Sequence, residues 1–241
     1  MGDADSREES SGPAPATWSD FYQKSDFDLA RLIQVSTHYK KYLDMIEAFA
    51  PGPRGLEIGT GTGWAALYLS HQRRDITAID RDPDIIAEAV RLNQRFGGSA
   101  KFRTMDLFRL DFESGSFDFA FHQGVMEHFP ETEIRRALQE QLRVAPCVVF
   151  SVPGANYKKK DFGDERLWTK KAWLEILAPF KIVHMFGFGY TNDGAKFLGA
   201  LTHHPRYRRR RWAGLLAKLN DRLFAGELGF VITLKGSGLN S

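Results

Sequence analysis

Short apolar runs along this chain alternate with segments whose apolar residues recur every three or four positions. Tyr39, Tyr42, Leu43, Ile46 and Phe49 share one face of a helix that Pro51-Gly52-Pro53 ends. Leu56-Glu57-Ile58 closes a buried strand, and after Gly59-Thr60-Gly61-Thr62-Gly63 a helix presents Trp64, Leu67, Tyr68 and His71. Asp75 to Asp80 is a second strand. Asp82-Pro83 then opens a helix with Pro at its tolerated first position, Ile85, Ala89, Leu92 and Phe96 as its stripe, and Gly97-Gly98 as its stop. Further strands are predicted at Ala100 to Met105, Phe117 to Phe121, Cys147 to Val152, Lys181 to Phe188 and Gly229 to Lys235. Helices are predicted from Glu131 to Val144, on Ile134, Leu138 and Leu142, and from Trp168 to Pro179, on Ala172, Trp173, Ile176 and Leu177. This alternation predicts a mostly parallel sheet covered on both faces.

The ends and one late stretch break the rhythm. Met1 to Ala16 is small, acidic and proline-rich, and is expected to be a flexible tail. Residues 17–241 are expected to form a single domain, with a helical cap over 17–50 and a basic helical insertion over 191–226. Short helices are expected to start near Asp20-Phe21-Tyr22 and Ser25 to Leu29. The insertion puts five arginines into the six positions Arg206 to Arg211, followed by Leu215, Leu216, Leu219, Leu223 and Phe224 as an apolar side. Nucleic acid or an anionic membrane is a conceivable partner on charge alone. Neither is favoured, because no zinc-finger spacing, RNA-binding aromatic pair or basic-zipper heptad accompanies the arginines.

Composition narrows the class. A net charge of +3 is unremarkable, and no apolar run approaches membrane-spanning length. The N-terminus lacks the charged start and apolar core of a secretory signal, and the lone Cys147 sits in a buried-looking run. A cytoplasmic, reducing location is the expectation.

The glycine turn carries the chemistry. Its spacing is GxGxG rather than the dinucleotide GxGxxG, and no Lys-Ser or Lys-Thr pair follows to make a P-loop. Glu57 just ahead of the turn disfavours a pyrophosphate and suits a ligand carrying an ammonium group. Asp80, 17 residues after Gly63, ends the neighbouring strand, where a carboxylate accepts hydrogen bonds from ribose hydroxyls. Asp106-Leu107-Phe108 joins a carboxylate to apolar groups, a set able to bind an adenine edge and face. Strand four opens into His122-Gln123-Gly124-Val125-Met126-Glu127-His128-Phe129-Pro130, polar groups placed at the crevice of an α/β sheet.

Together, Leu56 to Gly63, Ala78-Ile79-Asp80, Asp106-Leu107, and Phe117-Asp118 leading to Met126-Glu127-His128-Phe129 resemble a class I S-adenosylmethionine-dependent methyltransferase. The resemblance spans about Leu43 to Lys235. It implies a three-layer, Rossmann-like α/β fold with seven strands in the order 3-2-1-4-5-7-6, the seventh antiparallel. S-adenosylmethionine is the implied cofactor. Glu57, Gly59, Thr60, Gly61 and Gly63 would hold its methionine part and Asp80 its ribose, while Asp106 and Leu107 would contact adenine. Arg81 and Gln123 complete the expected cofactor contacts. Such transfer needs an aligned acceptor more than covalent help, and a base only if the acceptor arrives protonated. His122, His128 and Glu127 are the candidate catalytic groups.

No metal is expected. Family members that methylate small RNAs carry a glutamate three positions ahead of the Glu127-His128 pair, and Gly124 stands there instead. The expected partner is a small-molecule acceptor methylated on O or N, with Tyr22, Tyr39, Tyr157, Trp168 and Tyr190 as aromatic pocket walls. RNA methylation through the basic insertion is the alternative enzyme reading. A nonenzymatic module of the same fold is the alternative class.

Overall fold

The structure, a computed structural model, describes residue 17 and residues 27–157, 163–190 and 225–235. Tyr22, the flexible tail expected at 1–16 and the arginine-rich stretch therefore lie outside the described residues. Helix α1 (Leu29–His38) starts at Asp28, whose carboxylate accepts the Arg31 N–H at 2.8 Å and so satisfies an otherwise orphaned donor. Helix α2 (Lys40–Phe49) follows after Tyr39 and buries Tyr42, Leu43 and Ile46, the face that its apolar spacing predicts.

Strands and helices then alternate: β1 (Arg54–Ile58), α3 (Trp64–His71), β2 (Asp75–Asp80), α4 (Pro83–Arg95), β3 (Lys101–Thr104), β4 (Phe119–Gln123), a 3₁₀ turn (Met126–His128), α5 (Glu131–Val144), β5 (Val148–Pro153), α6 (Lys170–Ile176), β6 (Lys181–Tyr190) and β7 (Ala225–Thr233). The seven strands order as β3-β2-β1-β4-β5-β7-β6. Pairs from β3 through β5 are parallel, and β7 runs antiparallel to both β5 and β6. This is the topology that the resemblance implied.

The two sheet faces are buried separately. Leu56, Ile58, Phe150, Trp173 and Phe230 belong to one apolar cluster with α5 and α6. Tyr42, Ile46, Trp64, Phe119 and Phe121 belong to the other, beneath α2 and α3. Each such fully buried large side chain contributes roughly 1.5–3 kcal/mol, and their alternation along β1 and β4 fixes which residues end at the crevice.

Two strand boundaries differ from expectation in ways that matter. β4 begins at Phe119, not Phe117, and runs on to Gln123. The preceding Asp118 is held by Arg54, which donates to its carboxylate at 2.7 Å, and the Phe117 N–H donates to Val144 O. The shift carries His122 and Gln123 into the ladder opposite Phe150 and Ser151. β7 begins at Ala225, so its first residues belong to the sheet rather than to an insertion reaching 226. Glu227 pairs with Pro153 on one side and Phe188 on the other. Because β7 is antiparallel, its start lies at the carboxyl end of β5, beside the crevice.

Candidate functional site

The carboxyl ends of β1, β2 and β4 open onto two adjoining cavities of about 310 Å³ and 280 Å³, which share Gly59, Gly124 and His128. Between them runs the glycine turn. Gly59 has φ +64° and a Cβ there would lie 2.8 Å from Val125 Cγ2; Gly63, at φ +77°, caps α3 with its Cβ position 2.8 Å from Ala89 Cβ. Both the left-handed backbone and the close packing require glycine. The Thr60 N–H donates to Ile79 O at 3.0 Å, which ties the turn to the end of β2.

Glu57 projects from the end of β1 into the larger cavity and is 6% exposed. The Thr60 hydroxyl donates to its Oε2 at 2.7 Å. Burial nonetheless pushes its carboxyl up to about 8, since the hydrogen bonds from Thr60 and the Ala66 backbone offset only part of the lost hydration. An incoming ammonium group reverses that balance. Asp80, at the end of β2, lines the other cavity. Its Oδ1 accepts from the Asp82 N–H at 3.1 Å and its Oδ2 from the Gly61 N–H at 3.4 Å. Each oxygen keeps a lone pair for a ligand hydroxyl. Burial raises the Asp80 carboxyl above its ordinary value, against the pull of those backbone bonds.

The smaller cavity is a slot with an acidic edge. Arg81, Asp106 and Leu107 line it along with Ile79, Met105 and Phe129. The Phe108 N–H donates to Asp106 Oδ1 at 2.8 Å, and Phe108 meets Phe129 edge-to-face at 5.2 Å. Such a slot fits a flat heteroaromatic ring with an exocyclic amine. A buried carboxylate, a glycine turn without side chains and a strand-end aspartate thus follow one another along a single bent path. Every expected cofactor residue lines it except Gly63, which shapes the turn from behind. These residues fit the methionine, ribose and adenine of S-adenosylmethionine in that order.

Residues 56–146 match the model of a family described as a methyltransferase domain. Over these residues the chain is a class I S-adenosylmethionine-dependent methyltransferase domain. Phosphoethanolamine N-methyltransferase 2 of Caenorhabditis elegans is 27% identical over 149 residues, which is 57% of this chain and 34% of that protein. The chain therefore spans about a third of the length of that relative. Among solved structures, the PH0226 protein of Pyrococcus horikoshii OT3 matches with a TM-score of 0.62 at 13% identity, over 90% of this chain and 99% of that one. Magnesium protoporphyrin IX methyltransferase from Synechocystis PCC 6803, with bound SAH, matches with a TM-score of 0.56 at 15% identity, over 90% and 92%. Both share the methyltransferase fold.

Other predicted residues of the methyltransferase site part company. Tyr39 and Tyr157 line the larger cavity with Gln123, Glu127 and His128. Tyr39 stacks on Trp64 at 5.4 Å. Trp168 lines neither cavity and packs on the core instead. The side chain of Tyr190 lies outside the described residues. His122 requires a correction. It is fully buried, stacked on Phe150 at 4.9 Å, with neither ring nitrogen hydrogen bonded among the described residues. The alternation of β4 turns it into the core and its neighbour Gln123 toward the crevice. Burial pushes the imidazole down to about 3, so it is neutral, and it lines neither cavity.

The 3₁₀ turn is clamped by the segment after residue 163. Arg166 donates its N–H to Glu127 O at 2.9 Å and its guanidinium to His128 O at 2.7 Å, and His128 Nδ1 lies 2.6 Å from Asp164 Oδ1. His128, Asp164 and Glu165 bring donor atoms within 4.8 Å of one another. Sequence reasoning missed two buried acidic residues of the cavity, Glu165 and Glu227, which are 7% and 2% exposed. The signal for Glu227 was present: an acidic residue inside the apolar run Ala225 to Thr233. No helix among the described residues is long and apolar enough to cross a membrane.

Proposed function

We propose that the protein transfers a methyl group from S-adenosylmethionine to an O or N atom of a small organic metabolite, by direct in-line displacement. The observation that carries this is the larger cavity, continuous with the cofactor path at Gly59 and Gly124 and walled by Tyr39, Trp64 and Tyr157. Of its roughly 310 Å³, the methionine end of the cofactor takes the part at Glu57 and Thr60, and what is left suits a metabolite better than a nucleic acid strand. The C. elegans relative is named for N-methylation of a small molecule, which also supports this class of acceptor.

Bound there, the cofactor supplies a methyl group made electrophilic by its sulfonium. The chain's own residues do the rest. Glu57 and Thr60 anchor the amino-acid end, Asp80 fixes the ribose, and Asp106 with Leu107 seats the base. Tyr39 and Tyr157 exclude water beside the acceptor and hold it in line, which is the larger part of the acceleration in such reactions. Glu127 or His128 takes a proton where the acceptor carries one to lose. We place this activity in the cytoplasm, a location supported by a single buried cysteine.

A metabolite extract supplied with methyl-labelled S-adenosylmethionine tests the reading. Label in one small metabolite, abolished by Asp80→Ala, is the expected result. Cofactor binding without any labelled metabolite, or label confined to RNA, would overturn it.

A further inference from the structure

The acceptor end of the crevice holds more carboxylate than cofactor binding uses. Glu57 is assigned to the ammonium of the methionine part. Glu127, Glu165 and Glu227 remain, brought to the same cavity by three separate elements: the 3₁₀ turn, the segment after residue 163, and the start of β7. Glu127 is 2% exposed, and its Oε2 has no hydrogen-bond partner among the described residues. Among the described residues, the His128 imidazole Nε2 lies 3.9 Å from its other oxygen, too far for a hydrogen bond. A buried carboxylate left this way, near two others, opposes folding unless something positive completes it. The cationic Arg31 is exposed at the cavity's rim and donates instead to Gln34 Oε1 at 2.9 Å.

Resting on the methyl-transfer reading, we infer that the acceptor is a protonatable amine whose ammonium is received by Glu127, with Glu165 and Glu227 beside it, and whose nitrogen is the atom methylated. Aromatic faces at Tyr39, Trp64 and Tyr157 suit the same ligand, because π clouds attract cations stripped of water. An alcohol offers Glu127 one neutral hydrogen bond and brings no positive charge to it.

The step balances without a further reactant. The ammonium passes one proton to the Glu127 carboxylate. The freed nitrogen lone pair forms the new C–N bond while the electrons of the C–S bond return to sulfur. The positive charge moves from sulfur to the methylated ammonium, and the proton stays on Glu127 until solvent takes it. Burial, and then the charges of Glu227, Glu165 and Asp164, raise the proton affinity of Glu127, the direction that a proton acceptor needs.

Calorimetry on the full chain with S-adenosylhomocysteine present tests this with matched pairs: 2-phenylethylamine against 2-phenylethanol, and ethanolamine against ethylene glycol. In at least one pair the amine is expected to bind at least about tenfold tighter. Glu127→Gln is expected to weaken that amine by about 10–100-fold, as loss of a charged hydrogen bond does, while leaving S-adenosylhomocysteine affinity within about twofold. Glu227→Gln, measured in parallel, weakens the amine to a smaller degree. Amines that bind no better than their alcohols, or unchanged affinity in both variants, overturn the inference while leaving methyl transfer standing. Failure of the wild-type chain to bind S-adenosylhomocysteine overturns the methyl-transfer reading with it. Amine binding that EDTA abolishes and Mn²⁺ restores overturns direct recognition by carboxylates in favour of a cation on His128, Asp164 and Glu165.

Discussion

Thr60 and Glu57 are joined across the glycine turn by a 2.7 Å hydrogen bond from hydroxyl to carboxylate, inside the protein and at the head of the crevice. The bond orients Glu57 without neutralising it. With burial holding the carboxyl up to about 8, the free protein carries this proton at pH 7. Receiving the ammonium of the cofactor favours the ionised form, so binding expels the proton. Titration of S-adenosylmethionine in buffers of different ionisation enthalpy is expected to report release of about one proton at pH 7. A heat independent of buffer would remove Glu57 from the role.

The same group affects stability. Its folded value lies above its unfolded value, so the native state holds the extra proton between about 4.5 and 8, and stability falls as pH rises through that window. Glu57→Gln keeps the shape and removes the penalty. Its melting temperature is expected to exceed that of the wild type at pH 8 and to match it near pH 4, while cofactor affinity drops by about 10–100-fold. Equal melting curves at both pH values would argue that the carboxyl is not desolvated in the free protein.

Asp80 has two tasks, accepting from the Gly61 and Asp82 N–H groups and facing the cavity with its remaining lone pairs. Asp80→Asn retains one acceptor oxygen, whereas Asp80→Ala retains none. Cofactor affinity is expected to fall by about tenfold in the first and by about a hundredfold or more in the second. A nucleoside lacking the ribose hydroxyls should be insensitive to both, and competition binding with 2′,3′-dideoxyadenosine reads that difference.

Gly63 sits at φ +77°, with the site of a Cβ 2.8 Å from that of Ala89. Gly63→Ala therefore meets backbone strain and a clash together. Denaturant unfolding is expected to show a loss of about 2–4 kcal/mol, with cofactor affinity reduced because the turn and α3 must shift. A variant as stable as the wild type would mean that α4 gives way freely at Ala89.

Much of this was legible in the chain. Period-two and period-3.6 patterns place the strands and helices of the first half, because each amphipathic segment has one face to bury, as α4 does with Ile85, Ala89 and Leu92. The cofactor end was legible for a related reason. Its residues act from one contiguous turn and from strand ends whose order the alternation dictates. The acceptor end was not, since Glu127, Glu165 and Glu227 meet only through the antiparallel return of β7 and the clamp by Arg166. Neither feature leaves a local pattern. His122 was misplaced because β4 runs on to Gln123, which puts His122 inside the ladder opposite Phe150 and on the core face rather than in a loop after the strand.

That placement yields the last prediction. His122 is neutral in the folded protein and titrates normally once unfolded, so the unfolded state binds the extra proton between about 6.5 and 3. Stability contributed by its neutral form is present above that window and is lost as pH falls through it. His122→Leu, close in volume, removes both unpartnered ring nitrogens from the core. The variant is expected to gain about 1–3 kcal/mol near pH 7 and more at pH 5, measured by urea unfolding. Its kcat/KM for methyl transfer should stay within about threefold of wild type, because the side chain stacks on Phe150 and faces away from the crevice. A loss of a hundredfold or more with the fold intact would restore His122 as the base.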